Sequence, residues 1–175
     1  MRVIGGEFRS RRLKSIPGLA TRPTPDRLRE TLFDVLGSRI DGAVFLDAYA
    51  GTGAVGIEAL SRGAARAIFI ERSKKAAKVI AENLASLGIE NRALVVAASV
   101  VSAITRQKAG IIFLDPPYER ETEYASTLNA LAADPPPLVI VQHSVRFALA
   151  ESFGSLRKKR TLKQGDNALT FYASL

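Results

Sequence analysis

From residue 43 onward, short runs rich in Val, Ile, Leu and Phe alternate with stretches of helical periodicity, and this alternation constrains the fold more than any other feature. The apolar runs are Ala43–Tyr49, Ala65–Glu71, Arg92–Ala98, Gly110–Asp115 and Leu138–His143. Short, without polar alternation and bounded by turn residues, they read as strands buried on both faces. The helical stretches lie at about 54–62, closed by Gly63, and about 74–87, capped by Ser73 and closed by Gly88. Two more fall at about 100–108 and about 122–133. Strand and helix in alternation predict the α/β class, a doubly wound and mostly parallel sheet. The rhythm breaks at the end, where Leu156–Lys163 and Ala168–Ala173 flank Gly165-Asp166-Asn167 and predict a C-terminal antiparallel hairpin.

Ahead of this body, Gly5-Gly6 between β-capable stretches predicts a hairpin and Pro17-Gly18 a turn. A helix is expected next. Thr24 offers an N-cap, Pro25 suits the first helical position and Asp26 the positive end of the helix dipole. Leu28, Leu32, Phe33 and Leu36 mark an apolar stripe that ends at Gly37. The expected division is a small basic hairpin and helix over residues 1–40 and a main domain over 41–175.

Charge follows the same division. Lys and Arg number 25 against 17 Asp and Glu, a formal net charge of +8. The first forty residues hold nine basic and four acidic side chains, residues 146–175 hold six and two, and the stretch between is nearly balanced. Such cationic ends predict a polyanionic partner, nucleic acid before others. The densest cluster is Arg2, Arg9, Arg11, Arg12, Lys14, Arg22, Arg27 and Arg29, while Arg157, Lys158, Lys159 and Arg160 read either as a solvated face or as a further contact. The chain has no Cys, which excludes disulfides, thiolate zinc sites and Cys nucleophiles, and the single His143 makes no histidine metal cluster. No metal is expected. No apolar run reaches the roughly 18 residues of a membrane span, and Met1 to Lys14 carries five basic residues without an apolar core. A cytoplasmic, monomeric protein is expected.

The first apolar run leads into Asp47-Ala48-Tyr49-Ala50-Gly51-Thr52-Gly53-Ala54-Val55-Gly56, a G-x-G-x-x-G at a strand-to-helix turn. Glycines there serve either ligand approach or tight strand-helix packing. The second run ends in Glu71, an acid placed to take a ribose diol. A dinucleotide and S-adenosylmethionine both satisfy this geometry. Asp47 favours the second, because a carboxylate at the strand tip opposes a pyrophosphate but suits the ammonium of a methionine moiety.

The fourth run ends in Asp115-Pro116-Pro117-Tyr118, at the same edge as Gly51 and Glu71. An exocyclic amine is a poor nucleophile because its lone pair is delocalised. A carboxylate oxygen of Asp115 and the carbonyl of Pro116 would accept its two N–H groups and aim nitrogen at an electrophilic methyl. The prolines stiffen the loop, and Tyr118 would stack on the planar acceptor. Asp134-Pro135-Pro136-Pro137 precedes a strand, lacks the aromatic and reads as a plain loop.

Together, Asp47 to Gly53, Glu71 and Asp115 to Tyr118 resemble a class I, Rossmann-like S-adenosylmethionine-dependent amino-methyltransferase. Arg2-Val3-Ile4-Gly5-Gly6, Arg22-Pro23-Thr24, Arg27 to Phe33 and Glu58 to Ala64 are similar to the bacterial 16S ribosomal RNA guanine-N2 methyltransferase family, over nearly the whole chain. The resemblance implies methyl transfer from S-adenosylmethionine, leaving S-adenosylhomocysteine, to the N2 amine of a guanine in the small ribosomal subunit or its assembly intermediate. It implies Asp115, Pro116, Pro117 and Tyr118 as catalytic residues and Asp47, Tyr49, Gly51, Thr52, Gly53, Glu71, Arg72, Ser99 and Asp115 as the cofactor site. Arg9, Arg11, Arg12, Lys14, Arg22 and Arg27 would contact RNA. After the third strand, where such enzymes often read adenine with an acid or amide, this chain offers Ala97, Ala98 and Ser99. His143 reads as an acceptor-pocket or a structural side chain. The rival activities are methylation of DNA adenine or cytosine, of another RNA or of a protein glutamine, dinucleotide oxidoreduction, and binding without catalysis.

Overall fold

The computed structural model describes residues 1–16, 24–117 and 119–174, so the turn expected at Pro17-Gly18 and the side chains of Arg22 and Tyr118 lie outside the described residues. Helix α1 (Asp26–Leu36) precedes the alternating body. There β1 (Val44–Ala48), α2 (Ala54–Ser61), β2 (Arg66–Ile70), α3 (Lys74–Leu87), β3 (Ala93–Val96), α4 (Val100–Ala103), β4 (Ile111–Leu114), α5 (Glu121–Ala132) and β5 (Leu138–Ser144) follow in order. Strands β6 (Ser152–Phe153), β7 (Leu156–Gln164) and β8 (Asn167–Ser174) complete one eight-stranded sheet. Its order is β3-β2-β1-β4-β5-β8-β7-β6. The first five strands are parallel, and β8 runs antiparallel between β5 and β7. Parallel pairing puts the carboxyl ends of β1 to β5 on one edge, and the order reverses direction between β1 and β4, the crevice where doubly wound sheets bind ligands.

Each face of the sheet buries its own core. Phe45, Phe69, Phe113, Ile140 and Phe171 pack against α1, α2 and α3. Leu46, Ile70, Ile112, Val141 and Tyr172 pack against α4 and α5. Val3, Phe8 and Leu13 join the first core, so the N-terminal residues are packed into the main body. Their backbone forms a single bridge, Arg2 with Arg12, rather than an extended ladder. Side chains of α2 supply further partners: the buried Glu58 carboxylate accepts the Ile4 and Gly5 amides, both at 2.8 Å, and Ser61 Oγ accepts the Phe8 amide at 2.9 Å.

Three expectations change. Pro25, not Thr24, holds the cap position of α1, with no side-chain cap bond. The helix expected over about 100–108 is a single turn, Val100–Ala103, followed by a 3-10 turn at Ile104–Arg106. The β-branched Val100, Val101, Ile104 and Thr105 are weak helix formers, which accounts for the early loss of α-helix. Arg29, expected among the exposed cations, is 0% exposed; its Nη2 donates to the Arg2 carbonyl at 2.7 Å and to Asp26 Oδ1 at 3.0 Å.

Candidate active site

The strand β1 ends at Ala48, and Tyr49 turns the chain with φ +65°, a left-handed conformation that few non-glycine residues adopt. Its hydroxyl shares a hydrogen bond of 3.0 Å with Thr127 Oγ1 on α5, and burial pushes its pKa up to about 12. The three glycines that follow do different work. At Gly51 a Cβ would meet nothing within 4 Å, so this residue faces open space at the edge. A Cβ on Gly53, at φ +80°, would lie 3.2 Å from Ile80, and one on Gly56 2.3 Å from the Phe69 ring. The second and third glycines therefore admit close packing of α2 and α3 on the sheet, while the first leaves room for a ligand.

Two acids hold this loop. Glu71 Oε2 accepts the Gly51 amide at 2.9 Å and Oε1 accepts the Ser73 amide at 2.8 Å. Asp47 is 2% exposed, and its Oδ2 accepts the Gly56 amide at 2.8 Å, bracing the first turn of α2. Burial pushes the Asp47 carboxyl well above the usual carboxylate range; the Gly56 bond opposes the shift, and the charges of Asp115 and Glu71 add to it. The charges of Asp115 and Glu71 thus both reach this edge, a field that suits a cationic ligand and opposes a pyrophosphate. Thr52 is tied down through its carbonyl, which accepts Asn83 Nδ2 at 3.1 Å. Arg72 and Ser99 are exposed beyond the ends of β2 and β3.

Asp115 follows β4 directly, across the crevice from Gly51. Its Oδ2 accepts the Thr24 hydroxyl at 3.4 Å. The Pro116 carbonyl accepts the Tyr124 hydroxyl, also at 3.4 Å, and Pro117 is exposed. On the far side of this loop from the glycines lies a cavity of about 250 Å³ lined by Glu121, Tyr124, Ser144, Arg146 and Phe147. The loop after β4 therefore separates a glycine-and-acid half of the edge from a hollow with a carboxylate, a guanidinium and two aromatic rings. The second proline run, Asp134 to Pro137, lines a groove of about 470 Å³ at the opposite edge, away from these acids.

The family described as "Conserved hypothetical protein 95" matches residues 1–173. The chain belongs to that family. It is 34% identical to the "Putative rRNA methyltransferase YlbH" of Bacillus subtilis, over 98% of each chain. It is 43% identical to the "Ribosomal RNA small subunit methyltransferase D" of Escherichia coli K12 over 69% of this chain and 61% of that protein. The solved structure titled "Putative methyltransferase yhhF from Escherichia coli" superposes with a TM-score of 0.84 at 37% identity, covering 99% of this chain and 97% of that one. The fold of this Conserved hypothetical protein 95 member is that of the class I Rossmann-like methyltransferases.

The cationic side chains of this family member are not equally placed. The Glu7 amide donates to the Ser61 carbonyl at 2.8 Å, so the N-terminal turn lies at the end of α2 remote from the glycine loop. An eight-residue helix rises about 12 Å, and Arg9 stands near its far end. Arg11 donates to the Ser86 carbonyl at 3.1 Å and Lys14 pairs with Glu82 at 3.0 Å, both on α3. Arg12 and Arg27 are exposed, and Arg27 lies in the first turn of α1, three residues after Thr24. The β7–β8 turn also reaches the edge of Asp115, because Asn167 pairs with Ser144 at the carboxyl end of β5. Lys163 enters that turn, and the Arg160 guanidinium lies 4.9 Å from the centre of the Phe171 ring. His143 is buried; its Nδ1 lies 2.8 Å from the Ser144 carbonyl and its Nε2 2.7 Å from Thr170 Oγ1. The carbonyl requires Nδ1–H to donate, burial lowers the pKa of the ring, and in the neutral form Nε2 accepts from the Thr170 hydroxyl.

Two contributors escaped the sequence reading. Thr24 reaches Asp115 over 91 residues of chain, which no local pattern reveals. Arg29 was legible: it falls on the stripe of Leu32, Phe33 and Leu36 at spacings of three, four and seven.

Proposed function

We propose that this chain transfers a methyl group from S-adenosylmethionine to the N2 amine of a guanine in small-subunit ribosomal RNA. The observation that carries the reading is Asp115 with the adjacent Pro116 carbonyl, standing between the acid-held glycine loop and the hollow beside α5. The donor set fits the cofactor. Glu71 keeps lone pairs for a ribose diol beyond its two amide bonds, Gly51 leaves space above the loop, and the clustered acids balance a ligand that carries both a sulfonium and an ammonium.

When bound, S-adenosylmethionine supplies an electrophilic methyl group. Asp115 and the Pro116 carbonyl accept the N–H groups of the guanine amine and turn its lone pair toward that carbon. As the N–C bond forms, the C–S bond breaks and its electron pair stays on sulfur. The Asp115 carboxylate offsets the positive charge that develops on nitrogen and takes the surplus proton before releasing it to solvent. The cavity beside α5 would take the purine, and Tyr118, next in sequence after Pro117, is the residue that would stack on it. Residues 1–40 serve as the RNA-contacting part, through Arg9, Arg11, Arg12, Lys14, Arg22 and Arg27, and 41–175 as the methyltransferase domain.

The test incubates the protein with isotopically labelled S-adenosylmethionine and unmodified small-subunit ribosomal RNA, free or assembled, followed by nucleoside mass spectrometry. Labelled N2-methylguanosine is expected. Asp115→Ala should still bind S-adenosylhomocysteine yet lose at least about a hundredfold in single-turnover rate. Label on adenosine or cytidine instead would move the enzyme to another amino-methyltransferase activity, and failure to bind S-adenosylhomocysteine would remove the cofactor assignment.

A further inference from the structure

Thr24 closes the run Arg22-Pro23-Thr24, and its residue type suits a helix cap. The structure uses it otherwise. Pro25 takes the cap position with φ −53° and ψ 140°, and its carbonyl receives the Arg29 amide at 3.0 Å. The Thr24 hydroxyl is thereby released from α1 and donates to Asp115 Oδ2 at 3.4 Å.

We propose that Thr24 is a positioning residue for the Asp115 carboxylate, an inference that rests on the methyl-transfer reading above. A carboxylate turns easily about its terminal torsion, whereas methyl transfer demands one direction of the acceptor nitrogen. A hydroxyl fixed on one oxygen removes that freedom and leaves the carboxylate plane set toward the acceptor amine.

The position of the hydroxyl is built rather than accidental. Leu28, Leu32, Phe33 and Leu36 bury α1 in the core, and Arg29 ties its first turn to the Arg2 carbonyl. The start of α1 is therefore fixed against the sheet. A β-branched side chain adds a stiff χ1, which suits Thr to this task better than Ser. The same contact links the N-terminal segment, rich in cations, to the group that orients the amine.

The experiment compares wild type, Thr24→Val, Thr24→Ser, Asp115→Ala and the Thr24→Val/Asp115→Ala double variant in single-turnover methylation of small-subunit ribosomal RNA. Thermal unfolding, S-adenosylhomocysteine affinity and RNA affinity are measured in parallel. In Thr24→Val, which keeps the shape and removes the hydroxyl, the rate at saturating substrate should fall about five- to twentyfold with both affinities unchanged. Thr24→Ser should recover most of the loss. In the Asp115→Ala background Thr24→Val should have no further effect, because the hydroxyl then has nothing to orient. An equal loss in both backgrounds overturns the proposal, as does a folded Thr24→Val variant with the wild-type rate. If instead Thr24→Val lowers only the melting temperature, the contact is a structural staple and the proposal also fails. Wild type that transfers no methyl group to guanine would count against the function itself and not against Thr24.

Discussion

The Gly51 amide donates to Glu71 Oε2 at 2.9 Å, so the acid that follows β2 also sets the shape of the glycine loop. The second oxygen of the same carboxylate accepts the Ser73 amide at the start of α3. Glu71→Gln is therefore not conservative. One carbonyl oxygen can serve only one of the two amides, and the new NH₂ group faces the other. S-adenosylhomocysteine affinity should fall about ten- to a hundredfold, and the ligand-free melting temperature should fall with it. Calorimetry and thermal unfolding check this; wild-type affinity in Glu71→Gln would displace Glu71 from the site.

Asp47 gives a prediction about pH. Its folded pKa is raised, so between the unfolded value of about 3.9 and that raised value the native state binds more protons than the unfolded chain. Its contribution is present at low pH and is lost as pH rises through that window. Asp47→Asn removes the loss while the amide oxygen still accepts the Gly56 N–H. The ligand-free variant should be more stable than wild type at neutral pH and equal to it near pH 4, by denaturant titration at several pH values.

For His143 the sign is opposite. A lowered folded pKa makes the unfolded chain bind more protons below about pH 6.5, so stability is complete above that value and is lost as pH falls. His143→Leu should cost about 1–3 kcal/mol at pH 7.5, from the broken bonds to Ser144 and Thr170, and the gap to wild type should narrow toward pH 5. Single-turnover methylation by the folded variant should stay within about twofold of wild type. A loss of rate on the scale of Asp115→Ala would return His143 to the acceptor pocket.

RNA contact is tested by comparing two charge clusters. Neutralising Arg9, Arg11, Arg12 and Lys14 together should weaken binding to small-subunit ribosomal RNA and lower the slope of log affinity against log salt, by nearly one for each phosphate that no longer meets a cation. Neutralising Lys159, Arg160 and Lys163 instead tests the β7–β8 side, whose turn stands at the carboxyl end of β5. Parallel salt curves for the first variant and a flattened one for the second would move the RNA path from α2 and α3 to the C-terminal hairpin. S-adenosylhomocysteine binding serves as the folding control for both.

The parallel strands were legible because burial on both faces leaves little but aliphatic and aromatic residues in short runs. Acids directly after such runs, Glu71 and Asp115, were legible for the same reason, since strand ends map to one edge. Roles within the loop were less so. Gly53 matches a ligand-binding pattern, yet its missing Cβ makes room for Ile80, and only Gly51 opens on the crevice. Asp47 was legible as an acid at the edge, but not its bond to Gly56. Likewise Lys14 and Arg11 look like free cations in a basic segment, whereas packing against α3 gives each a partner. These assignments depend on which face meets which, and that pairing leaves no periodic trace in the chain.

The placement of β8 has a consequence for synthesis on the ribosome. Because the last strand lies inside the sheet, between β5 and β7, the nascent chain cannot finish its sheet by adding strands outward. Until residues 167–174 emerge, the edge of β5 stays open, with Val139, Ile140 and Val141 lacking the cover of Tyr172 and Phe171. An open apolar strand edge is a template for wrong pairing between chains. Loss of residues 167–174 would therefore yield an adhesive intermediate, not a slightly smaller fold.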